Sequence, residues 1–359
     1  IPARSSSFGE SYTDAFSKAL LKEAERDGRI VAITAAMPGP TGLLSFEAAF
    51  KERFFDVGIA EQHAMTTAAG MAMGGLRPVV CVYSTFLQRC VDQWNLDVGL
   101  HELPVVVVAD RAGITGDDGP SHHGIYDMHS ALSIPGVFVF APSEPAEVAP
   151  LFKEALRCSS PSLVRYPKTP SPGPLGPPGE GLSHRVLKEG GDEVVILGIG
   201  KLARPALRAA EIVEEKTSIS PSVLDPRVIR PADEELIERL SRARLVITAE
   251  DGLRDGGAGA YIARLTDEKA ARMKRPGPRT VVLGVPTSYL QAAKPDAILH
   301  KLGLDGPGIA ASVIEALGRS DILSSDILSS DIGSGDVGSG DVESGDWERD
   351  AAQISNKLD

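Results

Sequence analysis

Residues 54–124 run FFDVGIAEQHAMTTAAGMAMGGLRPVVCVYSTFLQRCVDQWNLDVGLHELPVVVVADRAGITGDDGPSHHG. Residues 78–83 and 103–109 are continuously apolar, the pattern of strands buried on both faces of a parallel sheet, and 54–59 read as a further buried strand. Between them the Ala-, Met- and Gly-rich residues 62–74 predict a close-packed helix, and 87–100 predict a second. A polar cluster follows each strand: Glu61 after the first, Tyr83 with Phe86 and Arg89 at the end of the second, and Asp110-Arg111 with the loop Gly116 to Gly124 after the third. Strand, polar turn and helix in this alternation predict an α/β fold with a doubly wound sheet, whose ligands sit at the carboxyl ends of the strands.

Working outward, residues 11–25 place Tyr12, Phe16, Leu20 and Leu21 at helical spacing, 29–35 form a β-branched strand, and Met37-Pro38-Gly39-Pro40 breaks the pattern. Downstream, 137–141 and 162–166 add strands around a helix that starts near Glu144, which completes a first domain at 1–168. TPSPGPLGPPGEG at 169–181 is too rich in Pro and Gly for helix or strand, so 169–184 reads as an inter-domain linker of limited flexibility. A second, smaller α/β domain follows at 185–318, with strands at 193–199, 245–249 and 280–284 and helices at 204–215, 233–240, 259–265 and 308–317. Gly198-x-Gly200 stands where a dinucleotide-binding turn would, but Ala203 replaces the third Gly, which favours a plain strand-to-helix turn. From Ser320 to Arg349 the chain repeats every five residues (SDILS, SDILS, SDIGS, GDVGS, GDVES, GDWER) with too few aliphatics to bury a face, so 319–359 is expected to be a solvated, disordered acidic tail.

Composition narrows the function classes. At 359 residues, 42% hydrophobic and 5% aromatic, the chain suits two packed α/β domains, and its net charge of −12 argues against a binder of nucleic-acid backbone. Cys81, Cys90 and Cys158 contain no C-x-x-C pair and fit free thiols in a reducing compartment. No apolar run approaches the ~20 residues that cross a bilayer, and no secretory signal opens the chain. A cytoplasmic protein with neither membrane nor nucleic acid as partner is therefore expected, while Ile1 in place of Met leaves room for residues upstream.

Each candidate has a bland alternative. Glu61 sits at a helix start among alanines, where a carboxylate either rests against the helix dipole or, in apolar surroundings, shares a proton with a basic partner. Phe86 could offer a flat face to a ring, with Arg89 one turn on, or be core beside a solvated arginine. Arg111 and the loop carrying Asp118, His122 and His123 suit anion binding and acid/base chemistry, or form a solvated turn. A zinc site drawn from His122, His123, His129 and Asp118 lacks any established ligand spacing.

In order along the chain, FFDVGIAEQHA, YSTFLQR, DRAGITGDDGPSHHG, LVRYPK, DPRVIRPADEE, TAEDGLRDGGAGAY and LGVPTSY resemble signatures of 1-deoxy-D-xylulose-5-phosphate synthase, a thiamine-diphosphate enzyme of the transketolase superfamily. The resemblance covers about residues 8–318. It implies a pyrimidine-binding domain followed by a transketolase C-terminal domain. Glu61 would protonate the aminopyrimidine ring so that the cofactor's C2 becomes a carbon nucleophile, Phe86 would stack on that ring, and Tyr83 and Arg89 would line its pocket. Arg111 and Arg165 would grip the acceptor's phosphate, His122 would stand near the reacting carbons, and Asp118 would lie beside it.

The departures shape the partner expectation. Family members hold Mg²⁺ and the diphosphate through Gly-Asp-Gly and a downstream Asn, whereas the asparagines here are Asn95 and Asn356, neither with Gly-Asp-Gly upstream. A diphosphate without its metal binds poorly, so the sequence points to the pyrimidine-binding subunit of a split enzyme. The metal and diphosphate would then be held mainly by a separate subunit, in an assembly of two copies of each chain. Lys168-Thr169 where the family has Arg-Gly, and Gly116-Asp117 where it has Gly-Ala, leave the acceptor open. Alternatives are the β-type subunit of a 2-oxo-acid dehydrogenase and a non-catalytic regulatory homologue.

Overall fold

A computed structural model describes residues 10–168 and 170–318; residues 1–9, Thr169 and the repeats at 319–359 lie outside the described residues. In chain order the strands are β1 Ile30–Thr34, β2 Phe54–Asp56, β3 Arg77–Tyr83, β4 Val106–Asp110, β5 Phe138–Phe140, β6 Ser162–Arg165, β7 Arg185–Lys188, β8 Gly191–Gly198, β9 Pro221–Asp225, β10 Val228–Arg230, β11 Leu245–Leu253 and β12 Arg279–Val285. They form two sheets, ordered β10-β5-β6-β4-β3-β1-β2 and β12-β11-β8-β9-β7. Every pairing is parallel except β10 on β5 and β7 on β9, two antiparallel edges on otherwise parallel sheets.

The first sheet is doubly wound: β1 leads to β2 on one side, then the chain crosses to β3 on the other, so the carboxyl ends of β1 and β3 flank a switch point. β1 and β4 are buried along their whole length, as their Val, Ile and Ala content requires. On one face, helix Tyr12–Arg26, opened by the Ser11 side chain accepting from the Asp14 amide, buries Phe16 against Phe152 of helix Pro145–Arg157 at 5.2 Å between ring centroids. Such rings contribute roughly 1.5–3 kcal/mol each when fully buried. On the other face, Ala64, Ala68 and Ala72 let helix Glu61–Met73 lie close to the sheet, in a core that continues into the second sheet through Val195 and Leu197.

Three sequence expectations change. Residues 54–59 are not a buried strand: β2 is three residues long on the sheet edge, with Phe55 36% exposed, because a strand paired on one side has a face open to water. The helix expected at 87–100 begins at Ser84 and runs as short pieces, Ser84–Leu87, Gln88–Cys90, Val91–Gln93 and a wide-turned Trp94–Gly99. The break falls at Cys90, whose φ of −129° leaves the helical region, and the fully buried Trp94 opens the wide turn. β7, β9 and β10 lack a strong sequence signal, and β10 carries the chain beyond the linker back to the edge of the first sheet.

That return is fastened by charge. Arg227 is fully buried and pairs with Glu147 at 2.6 Å, while Arg230 donates to the carbonyls of Ala131, Leu132, Ile134 and Val137. The Pro/Gly segment is pinned as well: the Leu175 amide donates to Glu144 at 2.7 Å and the Gly179 amide to Glu147 at 2.6 Å. A segment without secondary structure meets its backbone hydrogen-bond demand through these carboxylates.

Candidate active site

The carboxyl ends of β1, β2, β3 and β4 carry the candidate residues. Asp56 ends β2, and its Oδ1 accepts from the amides of Ala36 at 2.7 Å and Gly58 at 3.0 Å, so the turns after β1 and β2 are tied together. Gly58 takes a φ of +74°, open to glycine at little cost, and the chain then enters the helix at Glu61. Glu61 is only 2% exposed, with Ala64 and Ala68 beneath it. Arg89 Nε stands 3.1 Å from Glu61 Oε2, yet that buried oxygen accepts no hydrogen bond. The neighbouring Cys90 thiol is pushed up to about 12 by burial and by the Glu61 charge.

β3 ends at Tyr83, and the turn that follows brings Phe86 back beside it, the two rings stacked at 5.6 Å with planes 10° apart. The Arg111 guanidinium lies over the other side of this group, 4.1 Å from the Tyr83 centroid. Arg111 itself has a φ of +59°, a strained backbone for a side-chain-bearing residue, and it is held there by the Pro40 carbonyl at 2.9 Å and by Asp110 at 3.2 Å. Asp110 is fully buried and accepts from Thr13 Oγ1 at 2.7 Å; burial pushes its carboxyl up to about 6. Burial also raises the Tyr83 phenol, against the pull of Arg111.

The loop from Gly113 to Gly124 closes on itself through reciprocal amide-to-carbonyl bonds at 2.7 and 2.8 Å. Gly113 has a φ of +76°, and a Cβ there would overlap the Asp251 carboxylate, so the loop base needs glycine twice over. The loop presents His122 edge-on to Phe86, with centroids 5.5 Å apart, and His122 Nδ1 lies 2.9 Å from Ser121 Oγ. Asp118, farther out, pairs with Lys168 at 3.4 Å.

The structure thus brings Tyr83, Phe86, Arg111 and His122 into one contiguous group, and Glu61 with Arg89 into a second. The segment 84–90 joins them, because it carries both Phe86 and Arg89. Arg165, expected beside Arg111, stands apart. It is 1% exposed, with Nε 2.9 Å from Asp127 and Nη1 2.7 Å from Asp251, and Lys201 completes the cluster at 3.0 Å from Asp251. Its Nε and Nη1 are engaged by two carboxylates while Nη2 is buried without a hydrogen-bond partner, and the half-exposed cation beside Asp118 is Lys168. His123 turns inward and His129 meets the Gly256 carbonyl, and among the described residues no three His, Cys, Asp or Glu side chains converge as a metal site. Sequence spacing did not identify Asp56, Thr13 or the Pro40 carbonyl, since each acts through a partner many residues away.

A pyrimidine suits this arrangement: Glu61 offers a buried oxygen lacking a hydrogen-bond partner, and the aromatic pair Tyr83 and Phe86 lies on the adjoining turn.

Residues 9–172 match the family model for the transketolase pyrimidine binding domain, and 183–309 match that for the transketolase C-terminal domain. Among curated proteins, 1-deoxy-D-xylulose-5-phosphate synthase 1 of Geobacter sulfurreducens is 42% identical over 310 residues, 84% of this chain and 47% of that protein. The 1-deoxy-D-xylulose-5-phosphate synthase of Magnetococcus marinus is 40% identical over 88% of this chain and 50% of its own length. The chain spans about half the length of the curated relatives it matches. Among solved structures, a split gene transketolase described as an inactive beta4 tetramer superposes with a TM-score of 0.77 and 30% identity, over 87% of this chain and 99% of that one. No described helix is long and apolar enough to cross a membrane.

Proposed function

The chain belongs to the transketolase family, and from that premise we propose that it is the pyrimidine-binding half of a split thiamine-diphosphate enzyme. The reaction would transfer a two-carbon unit from a 2-oxo acid or ketose to an aldehyde acceptor, the chemistry proposed for a transketolase-like chain. The observation that carries this is Glu61: a carboxylate shut off from water, one oxygen without a hydrogen-bond partner, at the start of the helix that follows β2.

When bound, thiamine diphosphate supplies a carbon nucleophile that adds to the donor's carbonyl. Glu61 would share a proton with the pyrimidine nitrogen through its buried oxygen, which has no other hydrogen-bond partner. Phe86 would offer its face to the ring, Tyr83 would line the same pocket, and Arg89 balances the Glu61 charge. Arg111, planar and held rigid over Tyr83, takes the acceptor's phosphate. The second cation at that phosphate is Lys168, because Arg165 is committed to Asp127 and Asp251. His122 and Asp118 handle protons at the reacting carbons.

A separate polypeptide carrying Gly-Asp-Gly and a downstream Asn would hold the diphosphate and Mg²⁺, with two copies of each chain in the assembly. The match to a split-gene chain over nearly its whole length supports this. The cytoplasm, where the three free thiols stay reduced, is the proposed setting. The test is to purify the chain alone and with such a polypeptide, then follow decarboxylation of pyruvate with an aldehyde acceptor, thiamine diphosphate and Mg²⁺. Turnover is expected from the pair only, and Glu61→Gln should lower it by roughly 100-fold or more. Turnover by the chain alone would refute the split, and a fully active Glu61→Gln pair would refute the catalytic role.

A further inference from the structure

We propose that His123 fastens the His122-bearing loop to residues 286–295 of the second domain, so that this domain sets how His122 is presented. The inference rests on the proposed role of His122 and extends it to a residue that touches no reacting atom. His123 is 4% exposed. The Thr115 amide approaches its Nδ1 at 3.3 Å. An amide can only donate, so Nδ1 accepts and the ring hydrogen belongs on Nε2. Nε2 is buried and has no completed hydrogen bond, and the backbone of Leu290 and Gln291 lies close enough to act on the ring.

The contact extends along the loop. A Cβ on Gly116 would lie 2.5 Å from the Pro295 ring and 2.8 Å from the Ala293 carbonyl, and one on Gly119 would lie 3.6 Å from Ala292. The covering segment is itself anchored, by the Arg254 amide donating to the Val285 carbonyl at 2.8 Å before it and by helix Pro295–Lys301 after it. His123 is thus a side chain of the loop lodged between its own Thr115 and the second domain. Lys201 and Asp118 are the charged groups acting on its ring.

The test needs neither partner nor cofactor. Amide hydrogen exchange on the full chain is compared for wild type, His123→Ala, His123→Asn and His122→Ala. His123→Ala should speed exchange by about tenfold or more in both 115–124 and 286–294 while the rest of the chain keeps its rate, since coupled segments open together. Asn can accept from Thr115 and donate onward, and should restore both segments; His122→Ala should change neither. Faster exchange in the loop alone, or throughout the chain, would overturn the proposal. Should His123→Ala fail to fold, nitrogen-15 NMR of the wild-type ring decides: hydrogen on Nε2 is expected, and hydrogen on Nδ1 would overturn it. Loss of turnover in His122→Ala bears on the proposed function, whereas uncoupled exchange bears only on His123.

Discussion

Arg165 Nη1 stands 2.7 Å from Asp251 Oδ1, with neither side chain reaching solvent, so β6 of the first sheet and β11 of the second domain share one buried ion pair. Asp127 takes the same guanidinium at 2.9 Å, and Lys201 answers Asp251 from the other side. Two cations and two carboxylates balance beneath the Gly113 turn.

Removing one member leaves the others charged in a dry site. Arg165→Ala should therefore destabilise the chain by about 3–5 kcal/mol, the usual cost of breaking a buried pair. The urea unfolding midpoint measures it. Arg165→Lys, which reaches one carboxylate at a time, should recover only part of the loss.

Glu61→Gln keeps size and drops the charge at a site where the carboxylate's oxygen has no hydrogen-bond partner. Stability should change by less than about 1 kcal/mol. In the assembled enzyme, activity should fall by roughly 100-fold or more if Glu61 shares a proton in the reaction. Steady-state turnover beside a melting curve separates the two effects.

Arg111 combines stacking on Tyr83 with a bond to the Pro40 carbonyl. Arg111→Lys keeps the charge and loses the planar fork, so the KM for a phosphorylated acceptor should rise about tenfold or more with kcat less affected. An acceptor without phosphate should show no such penalty.

Stability should fall as pH rises through the neutral range. Burial pushes Asp225 up to about 7 and Glu250 up to about 8, from ordinary values of 3.8 and 4.5. Each carboxyl keeps its proton in the fold to a pH at which the unfolded chain has already released it. The fold is thus penalised progressively from about pH 4 to pH 8, after which the cost stays level. His123, lowered by burial, works in the opposite sense, but only below its ordinary 6.5. Between pH 7 and 8 the slope belongs to the carboxylates, and Glu250→Gln should flatten it in denaturant titrations.

The central strands of both sheets were legible in the chain because buried parallel strands are largely apolar, as 78–83 in the first sheet and 193–199 in the second show. Arg111 could be named for the same reason, since it follows β4 directly, and Phe86 lies within one turn of the end of β3, whereas Glu61 and His122 are reached through the turn after β2 and the loop after β4. β2 was misjudged as buried because Phe54 and Phe55 are as apolar as a core strand, and nothing local records that β2 has a neighbour on one side only.

By itself the sequence determined the α/β class, the order of the strand-end clusters and the family they resemble, all of which are written in short windows of periodicity and motif. Only the tertiary structure decided that Arg165 is sealed between Asp127 and Asp251 while Lys168 stays open beside Asp118, and that β10 returns to the first sheet. The physical reason is distance along the chain. A hydrogen bond spanning 86 residues, like that from Arg165 to Asp251, leaves no periodic trace in either segment and exists only once both sheets have formed.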